Sequence, residues 1–142
     1  MKLKMMVDEG VEIPTYAHLG DAGLDLRVRE DVWLKPHERR TVGTGVKLAI
    51  PEGYVGLVFP RSGLASKVGI SLSNAVGVID AGYRGEVCAT LINHDKKPHL
   101  IEKGERVCQL VVMPFVSCEI DVVDELDETE RGEGGFGSSG RK

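Results

Sequence analysis

Val42-Gly43-Thr44-Gly45-Val46-Lys47-Leu48-Ala49-Ile50 decides the fold class of this chain. Val42, Thr44, Val46, Leu48 and Ile50 occupy every second position, with Gly43, Gly45, Lys47 and Ala49 between them. That period matches the pleat of a strand, which sends alternate side chains to opposite faces. The same alternation recurs upstream, where Ala22, Leu24, Leu26 and Val28 alternate with Gly23, Asp25, Arg27 and Arg29. Val55–Phe59 and Val107–Val116 are apolar with little alternation and read as more fully buried strands. Lys35-Pro36, Pro51-Glu52-Gly53, His94–Pro98 and Lys103-Gly104 separate these runs at short intervals. Short strands punctuated in this way predict an all-β sandwich, jelly roll or barrel. One helix competes with the pattern. Ser62-Gly63-Leu64-Ala65-Ser66-Lys67-Val68-Gly69 starts with a capping residue and stops at a glycine, about two turns on.

A chain of 142 residues fits one domain with a real core. We place that core at residues 1–118 and assign 119–142 to an acidic linker and a glycine-rich arm of the same unit. Residues 1–118 carry a net charge of +1, and residues 119–142 carry −5. Seven of the twelve residues 119–130 are acidic and five of the ten residues 131–140 are glycine, so this segment cannot bury a core of its own and reads as a flexible arm. Without a clustered basic face, nucleic acid is an unfavoured partner. No apolar run reaches membrane-spanning length, and Met1–Met6 is too short for a secretory leader. Three cysteines without a CxxC pair argue against a disulfide framework or zinc site and fit a reducing cytoplasm. Cys108 and Cys118 fall in strand-like runs and read as buried thiols.

Four places can carry chemistry. Val78-Ile79 reads as the end of a buried strand, followed by the turn Asp80–Gly85 and a returning strand Glu86–Ile92. Asp80, where the apolar run stops and a ring at Tyr83 follows, suits a general base in a shaped pocket; it also suits a turn carboxylate capping its own backbone. Pro60-Arg61-Ser62-Gly63 opens the helix, where unpaired N–H groups, a hydroxyl and a forked cation favour phosphate. Asp25 is either a surface charge or part of a metal's water shell, and Gln109 is an amide in an apolar strand that needs a partner.

The fourth place is Arg131-Gly132-Glu133-Gly134-Gly135-Phe136-Gly137-Ser138-Ser139-Gly140. It brushes the Walker A pattern, but Arg141 replaces the lysine and neither strand nor helix flanks it, so an ordinary P-loop is rejected. Its amides, hydroxyls and arginine can still wrap polyphosphate, and Phe136 can stack on a base. The four histidines show no metal spacing and no partnered nucleophile.

In order along the chain, Ala22–Leu26, Pro60–Leu64, Gly77–Gly85, Gly104–Leu110 and Arg131–Gly140 resemble the five motifs of the trimeric dUTPases. The resemblance runs from about Gly20 to Gly140. It implies a jelly-roll-like distorted β-barrel subunit and a homotrimer with active sites shared at its interfaces. It also implies Mg²⁺-dependent hydrolysis of dUTP to dUMP and pyrophosphate, which keeps uracil out of DNA and supplies dUMP for thymidylate synthesis. On this resemblance Asp80 is the base for water attack on the α-phosphorus, and Asp25 supports the site and the waters around the metal. Arg61, Ser62, Gly63 and Gln109 match phosphate contacts; Asn74, Gly77, Val78 and Ile79 match the uracil-reading hairpin; Tyr83 matches the ring against the deoxyribose. Arg131, Phe136, Gly137 and Ser138 match the closing arm, and Cys88 aligns with a position that sometimes touches nucleotide. The rivals are a dCTP deaminase of the same fold and a nucleotide-responsive regulatory binding protein.

Overall fold

The computed structural model describes residues 1–137. Ten strands and one helix follow in order: β1 Lys4–Val7, β2 Leu24–Arg27, β3 Val32–Leu34, β4 Arg39–Ala49, β5 Tyr54–Pro60, α1 Ser62–Val68, β6 Ile70–Leu72, β7 Gly77–Ile79, β8 Glu86–Asn93, β9 His99–Ile101 and β10 Arg106–Pro114. Two four-stranded sheets, ordered β1-β4-β8-β6 and β2-β10-β5-β7, form the jelly roll, and β3-β9 is a separate two-stranded ribbon. All described pairings are antiparallel.

The alternation in β4 does what the sequence predicts. Val42, Thr44, Val46, Leu48 and Ile50 are all at most 3% exposed. Leu24, Leu26, Val87, Ala89 and Leu91 meet them in a single apolar core. Thr44 is buried without penalty because its hydroxyl donates to the Val87 carbonyl at 2.7 Å. Asn93, also fully buried, donates to the carbonyls of Leu34, Lys35 and Lys97 and accepts from the Asp95 amide.

Four expectations need correction. Val78-Ile79 and Glu86–Ile92 do not form a hairpin: β7 pairs with β5, whereas β8 lies between β4 and β6 in the other sheet. The Asp80–Gly85 connection therefore carries the chain between sheets, which lets the inner faces of both pack against each other. Ser62 is not the N-cap. Arg61 takes that place in extended conformation (φ −96°, ψ 129°), and its carbonyl accepts the first helical bond from Ala65. Gly69 closes the helix at φ 76°, as its sequence position predicts.

Cys118 is exposed because β10 ends at Pro114 and the described residues beyond it join no strand. Lastly, β5 and β10 are not buried on both faces. β5 alternates buried Gly56 and Val58 with half-buried neighbours, because its second face lies open in the isolated subunit.

Candidate functional site

The best-built part of the site lies on one face of three neighbouring strands. Asp25 of β2 pairs across to Gln109 of β10, and Gln109 pairs across to Phe59 of β5. Paired residues share a face, as do residues two apart, so Asp25, Gln109 and Arg61 point to the same side. Arg106 should point away, three positions before Gln109. A β-bulge between Arg106 and Cys108 changes this by adding one residue, Val107. Val107 and Cys108 are consequently both buried, and Arg106 comes onto the face of Asp25.

Charge organises this face. Nε of Arg61 donates to Oδ1 of Asp25 at 2.9 Å, and Nη1 of Arg106 donates to Oδ2 at 3.0 Å. Arg61 also donates to the Arg106 carbonyl at 3.3 Å. The Gln109 amide has the partner its strand position demands, donating to the Pro60 carbonyl at 3.0 Å. Beneath them, burial pushes the Cys108 thiol up to about 12, with the Asp25 charge adding to the effect and Arg61 opposing it. Asp25, Arg61, Ser62, Gly63 and Gln109 line one cleft of about 370 Å³. A Cβ added at Gly63 would meet nothing within 4 Å, so the backbone there is open to a ligand.

Asn74, Gly77, Val78, Ile79, Tyr83 and Cys88 line a second, separate cleft of about 250 Å³. Ile79 forms its buried floor, while Val78 is 65% exposed. Tyr83 lies across Gly85, and its hydroxyl donates to the Glu86 carbonyl at 2.8 Å. Only glycine leaves room for that ring, since a Cβ at position 85 would sit 2.6 Å from its Cζ. Asp80 follows the end of β7 and is exposed, so its surroundings in the subunit are not dry. The turn is closed by the Tyr83 amide donating to the Asp80 carbonyl, and the Asp80 carboxylate has no intramolecular partner among the described residues. The self-capping turn reading therefore finds no support here. Cys88 is exposed, and its thiol is pushed up by partial burial and by Glu86, with Arg29 opposing.

The described residues of the arm, up to Gly137, line neither cleft. Arg131 donates to the Gly134 carbonyl at 2.8 Å, Phe136 is fully exposed, and Gly137 turns at φ 95°. Ser138 lies outside the described residues. Within one subunit, then, the phosphate-type residues, the base-and-sugar-type residues and the arm remain apart. Arg106 is the residue that sequence reasoning missed. Its motif was visible, but only the bulge shows which way it points.

A jelly-roll subunit with an arginine-lined helix mouth in one cleft and a tyrosine ring beside a strand end in another has the parts of a nucleotide-binding β-fold enzyme. The particular family is clear from the comparisons. The dUTPase family model matches residues 9–140, and the chain belongs to that family. The deoxyuridine 5'-triphosphate nucleotidohydrolase of Nocardia farcinica is 53% identical over 135 residues, covering 94% of this chain and 82% of its own. That of Cutibacterium acnes is 53% identical over 129 residues, covering 90% and 85%. Among solved structures, a Staphylococcus bacteriophage 80alpha dUTPase mutant with dUpNHpp superposes with a TM-score of 0.86 at 34% identity, covering 98% of both chains. A mutant dUTPase from phage phi11 of S. aureus, whose structure details the coordination of a structural Mg(II) ion, gives a TM-score of 0.83 at 30% identity, covering 90% of this chain and all of the other.

Proposed function

We infer that this chain hydrolyses dUTP to dUMP and pyrophosphate, as a dUTP diphosphatase. Family membership carries the reaction, and curated relatives of this name match nearly the whole chain. The deaminase rival is not favoured by any of these relationships. The observation that carries the architecture is the division of the site between two clefts with no lining residue in common. One subunit holds phosphate-type and nucleoside-type residues in different places, and the described residues of its arm line neither. A homotrimer in which neighbours supply the missing parts makes sense of that division.

In this assembly Arg61, Ser62, Gly63 and Gln109 hold phosphate oxygens through charge-assisted bonds and the helix mouth. Asn74 and Gly77–Ile79 present backbone groups to uracil. A donor-for-acceptor reversal, as in cytosine, would leave a buried group unpaired. Tyr83 screens the sugar at C2′. Asp80, with a free carboxylate, takes a proton from water as that water attacks the α-phosphorus in line. Arg131, Phe136, Gly137 and Ser138 close over base and phosphates, excluding water and adding cationic charge. Cys88, at the edge of the nucleoside cleft, is an expected minor contact.

The residues present fit Mg²⁺ only in a particular way. Among the described residues no cluster of three or more His, Cys, Asp or Glu can cage a metal. Both Asp25 oxygens already accept from arginines, but a carboxylate has further lone pairs for metal-bound waters. That donor set suits an ion held by triphosphate and water, touching Asp25 through its hydration shell. Bound there, Mg²⁺ would neutralise charge on the triphosphate. No helix among the described residues is long and apolar enough to cross a membrane. Three free cysteines fit a reducing compartment, and on that ground we assign the enzyme to the cytoplasm.

The direct test is Asp80→Asn assayed with dUTP and with dCTP. Pyrophosphate release from dUTP should fall by about 10²–10⁴-fold, the usual contribution of a general base, while binding of an α,β-imido dUTP analogue persists. Unchanged pyrophosphate release would reject Asp80 as the base. Ammonia from dCTP without pyrophosphate from dUTP, with the unsubstituted chain, would reject the assigned reaction.

A further inference from the structure

Asp25 grips Arg61 with one oxygen only. A carboxylate facing a guanidinium normally prefers a fork-to-fork arrangement, with two parallel N–H bonds to its two oxygens. Arg61 meets Asp25 through Nε alone, and neither of its terminal nitrogens is bonded to that carboxylate. The reason is Arg106. Its Nη1 holds Oδ2 at 3.0 Å, which fixes the carboxylate with that oxygen turned toward Arg106 and Oδ1 toward Arg61. Arg61 is further fixed by the bond from Nη1 to the Arg106 carbonyl. Its Nη2 is then left without an intramolecular partner among the described residues, on a side chain that lines the phosphate-type cleft.

We propose that Arg106 is a positioning residue for the triphosphate site: by holding the second oxygen of Asp25 turned toward itself it keeps Asp25 and Arg61 from closing into a bidentate pair, and so keeps one edge of Arg61 free for phosphate. The proposal rests on reading Arg61 as a phosphate ligand. Three observations support it together. The bulge at Val107 has the local effect of turning Arg106 onto this face. Asp25 is only 18% exposed, so water competes weakly for its oxygens. Arg27, the cross-strand partner of Arg106, cannot substitute for it, because its guanidinium is engaged by the Gly104 carbonyl at 2.8 Å and by Glu12 at 2.9 Å.

The chemistry sets the signature. Without Arg106, Oδ2 is released and the Asp25 carboxylate can rotate to take both Nε and Nη2 of Arg61. The fold gains a bond as it loses one, so stability hardly changes. What is lost is a charged donor to the triphosphate, and the effect falls on nucleotide binding rather than on turnover once bound.

The experiment compares the full-length chain with Arg106→Gln, Arg106→Lys, Arg61→Gln, Asp25→Asn and the double variant Asp25→Asn/Arg106→Gln. It measures α,β-imido dUTP binding by calorimetry, alongside KM, kcat and melting temperature. Arg106→Gln should raise the Kd and KM about tenfold or more, the scale of one charged hydrogen bond, with kcat and melting temperature little changed. Arg106→Lys, whose ammonium can still hold Oδ2, should recover most of the affinity. In the Asp25→Asn background the further loss from Arg106→Gln should shrink to about twofold, because the two side chains act through one another. An equal loss in both backgrounds would mean that Arg106 touches phosphate directly and would overturn the proposal. So would normal affinity in Arg106→Gln, or a fall in melting temperature that accounts for the activity lost. If Arg61→Gln itself bound the analogue normally, the reading of the phosphate site would fail and the proposal with it; a weakened Arg61→Gln beside a normal Arg106→Gln would reject this proposal alone.

Discussion

Replacing Gly85 with alanine should damage sugar discrimination without touching any proposed catalytic group. The added Cβ would lie 2.6 Å from Cζ and 2.9 Å from Cε2 of Tyr83, as well as against its hydroxyl, and ring atoms cannot bend aside as the end of a flexible chain can. The ring must leave, and with it goes the 2.8 Å bond from the Tyr83 hydroxyl to the Glu86 carbonyl. That bond contributes about 0.5–1.5 kcal/mol net, and holding a ring with only two side-chain torsions in place adds about 0.5 kcal/mol, giving about 1–2 kcal/mol in all. On the proposed role of Tyr83, kcat/KM for dUTP should fall by about 5- to 30-fold, and the preference for dUTP over UTP should shrink by a comparable factor. The assay is pyrophosphate release from dUTP and UTP side by side. Gly82→Ala is the control, since a Cβ there meets nothing within 4 Å, and it should stay within about 0.5 kcal/mol of the original. If Gly85→Ala kept both its dUTP efficiency and its preference over UTP, Tyr83 would not be the sugar screen.

Ending the chain after Glu130 removes Arg131, Phe136 and the glycine-rich turn, whose described residues line neither cleft in the subunit. Turnover of dUTP should drop at least tenfold with the melting temperature nearly unchanged, because loss of arm closure affects the reaction and not the core; a collapsed assembly on size-exclusion chromatography would instead make the arm structural. Alkylation at pH 8 followed by mass spectrometry should label exposed Cys118 rapidly and Cys88 more slowly, leaving Cys108 untouched until unfolding, since burial holds its thiol up to about 12. Early Cys108 labelling in the native protein would contradict the dry interior assigned to β10. The Asp95 carboxyl is held below its ordinary 3.8, first by its hydrogen bond with His99 and then by the Lys96 amide. A depressed carboxyl stabilises the fold above its ordinary value and loses that contribution as pH falls through the lowered one. Asp95→Asn should therefore lower stability at pH 5–7 and converge with the original chain well below pH 3.8, followed by thermal melts across that range; parallel curves at all pH values would refute the linkage.

Much of the site was legible because its residues break local rules. A glutamine within an apolar strand, a carboxylate at a strand end and a phenylalanine in a glycine-rich arm each lack an obvious structural need. What stayed hidden were matters of pairing. Nothing in Gly77–Ile92 distinguishes a hairpin from a crossing between sheets, because both use the same alternation and the same turn residues. Arg106 was hidden for a related reason: a bulge of one residue reverses the side its chain faces, and Val107-Cys108 reads equally well with or without it.

The sequence by itself determined the class of fold, the places of β2, β4, β5, β7, β8 and β10, the helix stop at Gly69 and the candidates at Asp80, Arg61, Gln109 and Phe136. These follow from period, propensity and side-chain type, which are properties of short stretches. The tertiary structure decided which sheet each strand joins, that Arg61 rather than Ser62 caps the helix, that Asp25 is shared by two arginines, and that two clefts divide the site. Those depend on contacts between residues far apart in the chain, which no local pattern encodes.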